Sequence, residues 1–279
     1  MINNLDNRND YARSGALAGR AAAGGAPNAH AAGKVPTFDR EPTFIKRAAF
    51  NGLLTNRLLT ALPGEDFARL LPHLEPVSLL GGEDAYDLGE GNQFAYFPEG
   101  AVVSKLHVLS DGGTIEAAMI GKDGMIGLSA VFGVPPPPCW TQVAIPGSAL
   151  RLRTEILRAE FARGGALQRL LLGYAADRMA QLSQRAVCNG RHTVEQRACC
   201  WLLMAHDRAG EDSMPLTHEQ IARHLGTRRA GITEIASALR DRGTISNSRG
   251  VIAVLDRRGL EAAACECYAE LSRSRAAVN

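Results

Sequence analysis

The sequence is poor in aromatics and has almost no net charge. Phe, Trp and Tyr make up 5% of its 279 residues, and 31 Lys and Arg stand against 29 Asp and Glu, a formal +2. A chain so balanced is not basic overall, so any affinity for nucleic acid must come from a local patch. No stretch approaches the roughly 18 consecutive apolar residues of a membrane helix. The N-terminal residues also lack the continuous apolar segment of a secretory signal. No cysteine precedes Cys139, and the six cysteines (Cys139, Cys188, Cys199, Cys200, Cys265 and Cys267) show no framework spacing. That excludes a disulfide scaffold, so reduced thiols, a cytoplasmic location and no membrane association are expected. No phosphate-binding glycine loop, Ser-His-Asp grouping or catalytic carboxylate pair is present. The chain is therefore not expected to be an enzyme.

What is present changes along the chain. Residues 1–45 are alanine and glycine with few large side chains, as in "ALAGRAAAGGAPNAHAAGK". Such a segment buries too little apolar surface to offset the entropy of ordering, so a disordered tail is expected. A start assigned upstream of the real one would give the same composition. Residues 46–160 open with short amphipathic helices carrying Leu58, Leu59, Leu62, Phe67, Leu70 and Leu71. Glycine punctuation follows, including Gly81-Gly82, Gly89, Gly91, Gly100, Gly112-Gly113 and Gly121. Val102, Ser104, Leu106 and Val108 alternate onto one face, and Ile115, Ala117 and Met119 onto another. Asp111-Gly112 is a hairpin signal. Short strands at regular spacing point to a small barrel or β-roll.

Residues 161–190 read as one long helix. Leu172, Ala175, Met179, Leu182 and Ala186 step by three and four, the seam of helices packed along their length. Leu167, Leu170, Leu171 and Tyr174 lie on the other side. A helix with two apolar faces must cover both, and a second copy of the chain is the simplest cover for one of them.

Residues 191–279 hold the most informative stretch, "LTHEQIARHLGTRRAGITEIASALRDRG". Thr217 and Gln220 can form a capping box, with Leu216 and Ile221 as its hydrophobic staple. Gly226 suits a sharp turn. Ile232, Ile235 and Leu239 turn inward, which leaves Arg228, Arg229, Thr233, Glu234 and Ser237 outward. Two short helices at a tight glycine turn form a helix-turn-helix pattern, whose second helix enters the DNA major groove. The next residues, "TISNSRGVIAVLD", read as a hairpin turning at Arg249-Gly250, the wing of a winged helix. Between Thr217 and Arg258 eight arginines face four acids. The basic excess of the chain is therefore concentrated here, as nucleic-acid binding requires.

This order of parts resembles the Crp–Fnr family of bacterial transcription regulators over roughly residues 50–260. The likeness is strongest in the helix-turn-helix stretch, in "GEGNQFAYFPEGAVVSKL" and in "GKDGMIGLSAVFG". It implies an α+β fold: a cyclic-nucleotide-binding-like β-roll, a long dimerisation helix and a C-terminal winged helix-turn-helix. It also implies a homodimer on a near-palindromic double-stranded operator, with RNA polymerase as a further partner.

The departures bear on the effector and on base reading. Members that bind cyclic AMP carry a ribose-binding glutamate where Leu128 stands here, followed by Ser129. They also carry a phosphate-binding arginine where this chain has "PPPPCW", Pro135 to Trp140 with Cys139. A buried phosphate without a cation is strongly unfavourable. Leu128, Ser129, Cys139 and Trp140 therefore read as a degenerate ligand pocket. The iron–sulfur members carry an N-terminal cysteine group that is missing here. No cofactor and no metal site are expected. Cys265 and Cys267, two apart on an expected helix, do not share a face and have no second cluster. At the recognition helix the family's Arg-Glu and later Arg are matched by Arg229, Ala230 and Glu234.

The resulting expectation is a sequence-specific DNA-binding regulator. Arg229 reads a base, Thr233 and Glu234 add base contacts, Thr217, His218, Arg228 and Ser237 line the backbone approach, and Arg249 touches phosphate. Two alternatives stand. One is a module whose winged helix binds protein rather than DNA. The other is a thiol-based redox regulator, although the adjacent Cys199 and Cys200 read, with Ala198, Trp201 and Leu202, as core residues that do not bridge.

Overall fold

The computed structural model describes residues 54–82, 93–110, 112–134 and 139–276. The 1–45 tail, Gly89, Gly91, Asp111 and Pro135–Pro138 lie outside the described residues.

Two short helices, α1 (Arg57–Thr60) and α2 (Gly64–Leu70), lead into six strands among the described residues. These are β1 (Glu75–Leu79), β2 (Phe94–Pro98), β3 (Val102–Val108), β4 (Thr114–Ile120), β5 (Trp140–Ile145) and β6 (Gly147–Arg153). They form two antiparallel three-stranded sheets, ordered β1-β6-β2 and β4-β3-β5. Leu79, Tyr96, Val103, Ile120, Val143 and Ala149, one from each strand, make a single apolar cluster. The two sheets therefore face each other, as a β-roll requires. The other side of the first sheet presents Ala95, Phe97, Leu150 and Leu152 to Leu58, Leu59 and Leu157. Burying each of these leucine or phenylalanine side chains is worth about 1.5–3 kcal/mol.

The expected alternation along β3 is interrupted. The register shifts between Lys105 and Leu106, so that Leu106 pairs with Glu116. Val102, Val103 and Ser104 are buried in succession, because helices cover the face of the second sheet that looks away from the roll. A two-sided strand need not alternate.

Helices α3 (Leu128–Val131) and α4 (Thr154–Ala162) flank the roll. The long helix α5 runs Ala166–Arg191, 26 residues or about 39 Å at the standard rise. Its Leu167, Leu171 and Tyr174 are buried against the roll. The Tyr174 hydroxyl accepts from the Met125 N–H at 3.1 Å. Gly124 permits this approach, since a β-carbon there would lie 2.3 Å from the Tyr174 hydroxyl. The opposite face carries the expected seam, and among the described residues nothing covers it. Leu172 is 51%, Met179 71% and Leu182 44% exposed. Ala186 is exposed and Ala175 half-buried. None of the helices among the described residues is long and apolar enough to cross a membrane.

The C-terminal part contains α6 (Val194–Ala209), β7 (Ser213–Met214), α7 (His218–Leu225), α8 (Arg229–Asp241), β8 (Ile245–Ser248), β9 (Val251–Val254), α9 (Arg257–Ala263) and α10 (Cys267–Ala276). Its three strands form an antiparallel sheet ordered β7-β9-β8. Its core includes Trp201, Leu203, Leu216, Ile221, Ile232 and Leu239, and is continuous with Val102, Met119 and Ile145 of the roll.

Candidate nucleic-acid interface

The helix-turn-helix is built as its residues dictate. Thr217 caps α7: its hydroxyl accepts from the Gln220 N–H at 3.2 Å, and Gln220 Oε1 accepts from the Thr217 N–H at 2.8 Å. Gly226 ends α7 at φ +62°, a left-handed conformation that residues with a β-carbon resist. Helix α8 then starts at once, with Arg228 at its N-cap and Arg229 as its first residue. Ile232, Ala236 and Leu239 are buried, while Ile235 is only half-buried. Ala236 thus takes part of the inward role expected of Ile235.

Arg228, Arg229, Thr233 and Glu234 are exposed, and Ser237 is half-buried. Among the described residues, the guanidinium groups of Arg228, Arg229 and Arg249 make no ion pair, unlike Arg240 with Asp241 and Arg257 with Asp207. Arg249 stands at the tip of the wing with φ +50°, followed by Gly250 at +79°. Two central residues at positive φ make a type I′ hairpin turn.

A polar chain ties these parts together. His218 Nδ1 lies 3.0 Å from the Thr233 hydroxyl, which donates to the Arg229 carbonyl at 3.1 Å. Asn247 Nδ2 of the wing lies 2.6 Å from His218 Nε2. A neutral imidazole with its proton on Nδ1 satisfies all three contacts. The chain fixes α7, α8 and the wing relative to one another. Asn247 was missed in the sequence because its partner lies 29 residues away.

Behind this face sits a buried carboxylate. Glu116 of β4 accepts from Arg185 of α5 at 2.6 Å, from Ser104 at 2.5 Å and from Trp201 of α6 at 3.1 Å. His224 Nδ1 of α7 lies 3.2 Å away, with its ring stacked on Trp201. Burial pushes the carboxyl up, but Arg185, His224 and Ser104 together hold it well below the usual carboxylate range. One side chain of the roll thus meets the long helix and the helix-turn-helix at once.

The residues of the expected ligand pocket come from two elements. Leu128 and Ser129 start α3, whereas Cys139 precedes β5 and Trp140 begins it, 45% exposed. The "GKDGMIGLSAVFG" stretch is used in packing: Asp123 pairs with the buried Arg208 of α6 at 2.8 Å. Two cations of the roll stand on β6, while Lys122 precedes Asp123 in the turn after β4. The Arg151 and Arg153 guanidinium groups lie 4.5 and 5.4 Å from the Phe94 ring centre, and Arg151 also pairs with Glu75.

Two of the cysteines, Cys265 and Cys267, differ from their sequence reading, whereas Cys199 and Cys200 lie in the core as expected. Cys199 and Cys200 are buried, and burial pushes the Cys199 thiol up to about 12. Buried protonated thiols are inert, which disfavours a redox role for this pair. The expectation that Cys265 and Cys267 belong to no cluster is corrected. Cys265 lies between α9 and α10 rather than within a helix, and both thiols meet Cys188 and His192 from the end of α5. Donation from Cys200 and Cys188 pulls the Cys265 thiol down to about 5.

Comparison with known protein families gives a match to the Crp-like helix-turn-helix domain over residues 196–263. The chain carries a Crp-like helix-turn-helix domain. This Crp-like domain spans α6 to α9 and contains every residue of the candidate interface. Comparison with curated protein sequences gave no match. Among solved structures, FixK2 from Bradyrhizobium japonicum is similar at 20% identity and a TM-score of 0.58, over 69% of this chain and 98% of that one. A crp/fnr-family transcriptional regulator of Eubacterium rectale is similar at 19% identity and 0.55, over 74% and 96%. CLP of Xanthomonas campestris, described as a c-di-GMP-responsive global regulator, is similar at 14% and 0.52, over 69% and 99%. The fold is that of the Crp/Fnr regulators.

Proposed function

We propose that the chain is a homodimeric, sequence-specific DNA-binding transcription regulator of the Crp–Fnr type. The observation that carries this reading is the pair Arg228 and Arg229. Both are exposed at the start of the second helix of a Crp-like domain, without an acidic partner among the described residues. In that position a guanidinium reaches base edges, and its fork of donors matches guanine O6 and N7. Arg229 reads a base. Glu234, one turn on, accepts from cytosine N4. The Thr233 hydroxyl already serves the Arg229 carbonyl, so its methyl group contacts a thymine methyl. Thr217, His218, Arg228 and Ser237 line the backbone, and Arg249 at the wing tip meets phosphate.

The seam of α5 is the dimer contact. Leu172, Ala175, Met179, Leu182 and Ala186 present an apolar stripe along one face, with Met179 71% exposed. A second copy, related by a two-fold axis, covers that stripe with its own. The operator is then near-palindromic double-stranded DNA, where RNA polymerase is the next partner. The effector of the roll is not cyclic AMP held by the usual glutamate and arginine.

Titration of the purified chain against a mixed-sequence duplex at several salt concentrations tests the reading. Affinity that falls steeply and linearly with log salt is expected, since each phosphate contact releases counterions. No DNA affinity, or a salt-independent interaction with protein instead, would favour the alternative of a protein-binding module.

A further inference from the structure

Four side chains from two distant stretches of sequence converge where α5 ends and α10 begins. Cys188 and His192 are one turn apart on and just beyond the end of α5. Cys265 and Cys267 bracket the start of α10. The three sulfurs and one ring nitrogen all lie within 4.8 Å of one another. Cys188 Sγ is 3.5 Å from Cys265 Sγ, and Cys267 Sγ is 3.5 Å from His192 Nδ1. A tetrahedral zinc ion with its usual bond lengths places ligand atoms about 3.6–3.8 Å apart. These side chains therefore already stand near coordination spacing.

The surroundings are those of a metal site rather than of a chance thiol cluster. His192 turns Nδ1 toward the sulfurs while its Nε2 lies 3.2 Å from Glu266 Oε1. A carboxylate on the far ring nitrogen fixes a ligating histidine in this way. Gln184 Nε2 points at Cys267 Sγ from 3.1 Å, as a donor to a thiolate would. The three cysteines are buried and His192 is half-buried, so the site is closed, as structural zinc sites are. The sulfurs are too close together to enclose the several irons and sulfides of an iron–sulfur cluster.

We propose that Cys188, His192, Cys265 and Cys267 form a Cys3His site for one zinc ion, which fastens α10 of the winged-helix part to the end of α5. Binding releases the three thiol protons to solvent and forms three sulfur–zinc bonds, and the imidazole adds its Nδ1 lone pair. Zinc is neither oxidised nor reduced. Only His192 and Thr193 separate α5 from α6. The ion therefore bridges the joint about which the DNA-reading part would turn relative to the long helix.

The test is metal analysis of the reduced full-length chain, incubated with zinc chloride and freed of loose metal by gel filtration. One zinc per chain should be retained, with loss of zinc in Cys265→Ser and Cys267→Ser and none in Cys139→Ser. Because the cluster variants could misfold, the unaltered chain is also loaded with cobalt(II). It should show thiolate-to-cobalt charge transfer and the intense ligand-field bands of a tetrahedral centre, both removed by added zinc. An unaltered chain that keeps no zinc and shows no thiolate–cobalt band overturns the site. So does full zinc retention in the Cys265→Ser, Cys267→Ser double variant. No DNA is present in these assays, so their failure would leave the DNA-binding reading untouched.

Discussion

Arg185 of the long helix donates to Glu116 of the β-roll across 2.6 Å, and neither group reaches bulk solvent freely. The glutamate is fully buried and the arginine side chain is 14% exposed. Around them stand Ser104, Trp201 and His224, so a change at this point touches both the roll and the reading module.

Replacing Glu116 with Gln keeps the shape and removes the charge. Breaking a buried ion pair from one side costs about 3–5 kcal/mol. The expected result is a loss of that size in urea unfolding. The pH response has a definite sign. The folded-state value of Glu116 is depressed, so the stability it supplies is complete above the ordinary glutamate value, near 4.5, and is lost as pH falls from there toward the depressed value. The acid limb of the stability curve should be shallower in Glu116→Gln than in the parent. A loss below about 1 kcal/mol would show that the pair contributes no more than an exposed one.

The local parts of this molecule were legible in the sequence. The capping box at Thr217 and Gln220, the turn at Gly226 and the hairpin at Arg249-Gly250 each depend on residues a few positions apart. The seam of α5 was legible too, because helical period survives in sequence; which face the roll would cover was not. Glu116 gave no signal, since its partners lie 12, 69 and 85 residues away. The cysteine–histidine cluster was missed for the same reason. Cys188 and Cys265 are 77 residues apart, and Cys265 lies outside the helix expected to hold it.

Base and phosphate contacts separate by mutation. Arg229→Ala should cost about 1–3 kcal/mol and relax the preference at one position of each half-site. Arg249→Ala should weaken all sequences alike and reduce the salt slope by about 1. Competition binding with single-base variants of a selected site distinguishes these outcomes. A uniform loss from Arg229→Ala, with the preferred sequence unchanged, would contradict its placement at a base edge.

The exposed seam predicts an effect far from the DNA. Leu182→Asp would bring two like charges together near a desolvated axis, where neither finds a partner. The dimer should dissociate while the roll keeps its far-UV circular dichroism. Specific binding to a full operator should disappear, and weak non-specific binding should survive. Light scattering and titration on full and half operators would show it. A variant that stays dimeric would remove α5 from the interface.

Cyclic AMP should not bind tightly. Leu128 stands where the family resemblance expects the ribose glutamate, and Arg151 and Arg153 of β6 lie against the Phe94 ring. Isothermal calorimetry at micromolar protein should show no saturable heat. Micromolar affinity that also strengthens DNA binding would contradict the degenerate pocket.

Selection of bound sequences from random duplex DNA by the full-length chain addresses dimeric base reading most directly. Two copies reading through Arg229 should enrich an inverted repeat whose half-site centres lie about 34–36 Å apart, one helical turn. Recovery of no enriched sequence, or of a single unrepeated half-site, would contradict a two-fold DNA reader.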